Sequence, residues 1–159
     1  MSELRKLLST PLPSLKKQAR LPFRPSVEEV EYIYDVINLE LFDNAMIRPT
    51  IHVGPYCYGF WGMCYGEDEI FDTGSYCEIK VPDRWYCIQW MILVLSHEMC
   101  HAYQWDVEGS IRVVAGYPRL MSHGTTFIQH RARFKEYGIP LKEIYHHSKW
   151  FEFQDLMMV

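Results

Sequence analysis

The sequence predicts a single domain of the α+β class. Three observations carry this: apolar residues at helical spacing over residues 26–45, three short β-type runs between 50 and 81, and a long apolar helix over 84–105. At 159 residues and 19.0 kDa the chain suits one domain. With 48% hydrophobic and 23% charged residues it has enough apolar material for a core.

Residues 1–25 place Pro11, Pro13, Pro22 and Pro25 among Arg5, Lys6, Lys16, Lys17, Arg20 and Arg24, with Glu3 as the sole acid. They are expected to form an extended or partly disordered basic arm ahead of a folded, acidic domain over 26–159. Ser26-Val27-Glu28-Glu29 has the spacing of a capping box, and Val27, Val30, Ile33, Ile37 and Leu41 follow on one face. A helix should therefore run from Ser26 to about Ala45.

Thr50–Val53, Tyr58–Tyr65 and Tyr76–Val81 are the strand candidates, the last alternating Cys77, Ile79, Val81 against Tyr76, Glu78, Lys80. A small, mostly antiparallel sheet is expected, with the acidic stretch Gly66–Gly74 as a loop. Pro82-Asp83 opens the long helix, about Arg84–Trp105, apolar on every side in its middle and so expected to cross the core. The aromatic residues at 85, 86, 90 and 105 read as core. A loop over Asp106–Ser122 is long enough to suggest a functional role. A helix over about Thr126–Tyr137 should end at Gly138 and Pro140, and Trp150, Phe151, Phe153 and Leu156 suggest a short docking helix in the tail.

A net charge of −4 does not favour nucleic-acid binding by the chain as a whole. Five cysteines without a CxxC pair fit reduced thiols better than a disulfide framework or a zinc ribbon. The N-terminus lacks the apolar core of a signal peptide, and the apolar run Ile88–Leu95 is too short to span a bilayer. The expectation is a soluble, intracellular protein without a membrane partner.

The chemistry concentrates in His97-Glu98-Met99-Cys100-His101. Histidines four apart on a helix lie about 40° apart around its axis, so both rings reach one ion. Glu98 lies about 60° to the side of His101, badly placed as a ligand but well placed to touch a metal-bound water. Zinc held by neutral imidazoles lowers that water's pKa to about 7, and Glu98 can take its proton as it attacks a peptide carbonyl. The metzincin continuation is ruled out by Gln104 and Val107. For the third ligand, Glu136 or Glu143 would make a thermolysin-like site. His123, followed by the permissive Gly124, is the better candidate, and His130, His146 and His147 are weaker rivals expected to be solvated. Asp106 or Glu108 could orient a ligand histidine, and Tyr117 or Arg119 could polarise a substrate carbonyl.

These motifs resemble the SprT-like family, which includes bacterial SprT proteins and the protease domain of Spartan. Asn38-Leu39-Glu40-Leu41-Phe42 matches its N-x-x-x-F, Tyr58–Gly62 its glycine-containing strand region, and Glu78–Val81 a further strand. Leu95–Ala102 matches L-x-H-E-M-x-H-A, and His123-Gly124-Thr125-Thr126-Phe127 matches H-G-x-x-F. The likeness covers about residues 26–138. It implies a zincin-like metalloprotease fold with the sheet packed against the active-site helix, Zn2+ on His97, His101 and His123, and Glu98 as catalytic acid/base.

In Spartan-like members the activity is cleavage of proteins crosslinked to DNA, so the expected substrate is a protein, with DNA-associated proteins a candidate class. No cysteine follows Cys100 within these residues, so a zinc ribbon such as many members carry is not expected in them. A compact chain of this kind suits a bacterial or phage-encoded domain in the cytoplasm of a bacterium or infected host cell, or associated with a virion. Residues 1–25 suit contact with DNA phosphates or an acidic partner. Two further readings stand beside the protease: a non-hydrolytic component of a larger assembly that retains the zinc site, and a nucleic-acid-binding module with structural zinc.

Overall fold

The computed structural model describes residues 1–12, 21–55, 62–68, 75–107 and 123–142. Within them the chain forms α1 (Glu3–Leu8), α2 (Val27–Leu41), β1 (Thr50–Gly54), β2 (Met63–Asp68), β3 (Ser75–Pro82), α3 (Ile88–Asp106), α4 (Thr125–Ile128) and α5 (Arg131–Glu136). The class is α+β, as expected.

The N-terminal segment departs from the expected extended arm. Ser2 caps α1 by accepting from the Arg5 amide, and Leu4 is fully buried. Leu7 and Leu8 pack against the core beside it, completing a short apolar stripe at helical spacing. Polar contacts fasten the helix to the body. The Leu4 amide donates to Glu40 at 2.8 Å, the Arg5 guanidinium donates to the Glu136 carbonyl at 3.0 Å, and it lies 4.3 Å from the Tyr137 ring centroid. Lys6 pairs with Glu3. Of the basic residues assigned to the arm, Arg5 is thus engaged with the body, Lys6 makes an exposed pair within α1 itself, and Lys16, Lys17 and Arg20 lie outside the described residues.

In α2 the Ser26 hydroxyl accepts from the Glu29 amide, the expected cap. The helix stops at Leu41 rather than Ala45, because Asp43 and Asn44 take positive φ, 52° and 57°. Asp and Asn tolerate that region better than other side chains. The buried Asn38 holds the turn. Its side-chain nitrogen donates to the Met46 carbonyl at 2.8 Å and its oxygen accepts from the Met46 amide at 3.3 Å. Asn38→Ala would leave both groups of buried Met46 without these partners, an expected loss of about 2–4 kcal/mol. A lower urea midpoint at unchanged m-value checks it.

The sheet is mixed rather than mostly antiparallel. Its order is β1-β3-β2, with β1 parallel and β2 antiparallel to the central β3. Cys77, Ile79 and Val81 face the core and Lys80 faces outward, as their alternation predicts. Gly66, Glu67 and Asp68 belong to β2 rather than to the expected loop, since their backbone pairs with Cys77, Tyr76 and Ser75.

Helix α3 packs across β3 and β2 with α2 against it, and every residue from Gln89 to Cys100 is buried. It begins at Ile88, not Arg84, because Trp85 is held extended by paired backbone bonds to Phe23, at 3.1 and 2.8 Å. Trp85, Tyr86 and Trp90 are fully buried core residues. Among the described residues no helix is long and apolar enough to cross a membrane. The helix expected over Thr126–Tyr137 is two, α4 and α5, broken at Gln129-His130. The His130 ring is wedged 4.8 Å from Phe42 and 4.7 Å from Tyr103 at this break. Gly138, at φ 73°, ends α5 as expected, with the Ile139 amide returning to the Phe134 carbonyl. The tail aromatics lie outside the described residues.

Candidate metal centre

The last turns of α3 carry His97, Glu98 and His101, and the segment leading into α4 brings up His123. Ring centroids are 5.1 Å apart for His97–His101, 5.4 Å for His97–His123 and 4.8 Å for His101–His123. One ligand nitrogen from each lies within 4.8 Å of the others, so the three histidines are close enough to hold a metal ion. Phe127, fully buried, contacts all three rings at 4.8–4.9 Å and forms the floor of the cluster. Its amide bonds back to the Gly124 carbonyl, which makes His123-Gly124-Thr125-Thr126-Phe127 one compact turn.

Hydrogen bonds orient the rings. His97 Nδ1 lies 2.7 Å from the Lys142 carbonyl and His101 Nδ1 3.0 Å from Gln104 Oε1. Both partners are acceptors, so each Nδ1 carries the proton and each Nε2 presents a lone pair. His123 Nε2 is buried without a hydrogen-bond partner. Leaving such an atom unpaired costs about 1–3 kcal/mol, and a cation at the cluster would satisfy it. The donor set, three imidazoles and no thiolate, fits zinc with a coordination position to spare.

Glu98 is 7% exposed, with Oε1 3.9 Å from His97 Nε2. The start of β2 closes over it. A Cβ at Gly62 would lie 3.2 Å from Glu98 Cγ and 3.1 Å from Val94 Cγ1, so only glycine fits there without displacement. Burial pushes the Glu98 carboxyl from 4.5 up to about 7, opposed by a hydrogen bond from the Cys64 amide. A cation among the histidines would draw it down again.

The histidines shift the other way. Burial, reinforced by its neighbour His101, lowers His97 from 6.5 to about 3. Burial likewise lowers His101 and His130 to about 4 each. Between about pH 4 and 6.5 the unfolded chain therefore binds protons at these three rings that the metal-free fold refuses. Glu98 acts oppositely, taking up a proton on folding between 4.5 and 7. Three groups outweigh one. Metal-free protein should lose stability as pH falls from about 6.5 towards 4, read from urea midpoints across that range.

The other candidates fare differently. Asp106 accepts from the Ile47 amide at 2.9 Å and so serves the turn after α2. Glu136 is exposed and paired with Arg133, outside the cluster. His130 is packed among Phe42, Tyr103 and Phe134, not solvated as expected. Glu108, Tyr117, Arg119, Glu143, His146 and His147 lie outside the described residues, as does Cys57; Cys64, Cys77, Cys87 and Cys100 are free thiols.

Sequence reasoning missed Gln104, noted only as a departure from another pattern, and the Lys142 carbonyl. Gln104 was discernible as a polar residue three positions after His101, hence on its face of the helix. A backbone carbonyl leaves no side-chain signal. Comparison with protein-family models and with curated proteins finds no match for the chain.

Proposed function

We propose that this chain is a zinc-dependent endopeptidase of SprT-like type with a zincin-like fold. The observation that carries the reading is a buried carboxylate, Glu98, beside three converging imidazoles, one with an orphaned nitrogen. A purely structural site has no need of such a base. His97, His101 and His123 would hold the ion, which supplies Lewis-acid activation of water and of a peptide carbonyl. Glu98 accepts the proton of the attacking water and returns it to the departing nitrogen. The Cys64 amide and the close approach of Gly62 keep its carboxylate facing the ligands. Among the described residues β2 is an edge strand and its start lies against Glu98, which supports an extended polypeptide substrate paired along it.

The test is turnover of an unfolded protein such as casein by zinc-loaded protein. Chelation should abolish cleavage, and one equivalent of Zn2+ should restore it. Tight retention of one zinc with no turnover would contradict the reading and leave a structural metal.

A further inference from the structure

We infer that Gln104 is a positioning residue of the metal centre, its one side chain setting the orientation of His101 and tying the helix that carries His97 and His101 to the segment that carries His123. The inference rests on the reading of the three histidines as metal ligands.

Gln104 lies in the final turn of α3, where helices fray, yet it is 3% exposed. Its carboxamide is used at both ends. Oε1 lies 3.0 Å from His101 Nδ1, and Nε2 donates to Thr126 Oγ1 at 2.8 Å. A carboxamide oxygen only accepts, so it holds His101 as the neutral tautomer protonated at Nδ1, with Nε2 available to a cation. Thr126 belongs to α4 and stands three residues after His123, one residue before the Phe127 floor. The same amide plane therefore fixes a ring on one segment and the spacing to the other. Buried and bonded at both ends, it is a stiff link.

Glutamine also brings no charge to the site. A carboxylate in its place would make His101 the more basic ligand while still accepting from Nδ1, and the Thr126 hydroxyl could turn to donate to it.

The test is zinc affinity of the full chain, measured by competition with a chromophoric chelator, with the visible spectrum of the Co2+-substituted protein as a second readout. Gln104→Ala should weaken zinc binding by about 10–100-fold and alter the Co2+ spectrum. Gln104→Glu should restore affinity to within a few-fold of wild type or better. Thr126→Val, which cuts only the far end of the link, should weaken binding less than Gln104→Ala and keep the fold intact should the alanine variant fail to fold. Tight zinc binding by wild type with undiminished binding by Gln104→Ala would overturn the inference alone. Binding by Gln104→Glu as weak as that of the alanine variant would also overturn it. A wild-type chain that binds no zinc would overturn the metal-centre reading and this inference with it.

Discussion

Glu98→Gln is expected to lower peptide turnover by about 10²–10⁴-fold while the protein keeps one zinc per chain. Glutamine preserves the shape beneath Gly62, where a single added carbon would crowd Val94 and residue 98. It removes the capacity to accept a proton, together with the negative charge that a nearby cation would favour. Burial already disfavours the charged form of Glu98, so the neutral amide should not destabilise the metal-free fold. Loss of turnover with zinc content and unfolding midpoint unchanged therefore places the role of Glu98 in the chemical step rather than in metal binding or folding. Equal cleavage by both proteins would remove Glu98 from the mechanism.

His123→Ala is expected to have the largest effect on the metal itself. Loss of a direct ligand should exceed the about 10–100-fold that accompanies loss of an orienting partner. The accompanying signature is unusual. His123 Nε2 is buried and unpaired, so removing it relieves an unsatisfied polar atom while giving up packing on Phe127. These oppose each other, and metal-free stability should stay within about 1 kcal/mol of wild type. A residue whose loss weakens zinc retention and leaves the bare fold intact is a ligand. Unchanged zinc affinity would point to another third ligand.

The pattern of what could be read in advance follows from the range of the interactions involved. His97, Glu98 and His101 are spaced by one helix, so their convergence follows from helical geometry alone. His123 needs a second segment to return to the first; its motif together with Gly124 favours it over Glu136 and His130, and its ring joins the other two. The sheet order was not legible, because alternation in β3 shows which residues face inward but not that β1 runs parallel to it. The break at His130 and the early end of α2 depend on the ring stack with Phe42 and Tyr103 and on the grip of Asn38 on Met46. Neither partnership is local. The N-terminal helix is not legible because prolines and charges mask Leu4, Leu7 and Leu8, whose burial depends on a groove that only the finished fold provides.

X-ray absorption at the zinc edge of the loaded protein tests the centre most directly. Three imidazole nitrogens at about 2.0–2.1 Å, with no sulfur, are predicted for a single ion on His97, His101 and His123. A sulfur shell near 2.3 Å, drawn from Cys64, Cys77 or Cys100, or fewer than three imidazoles, would contradict it.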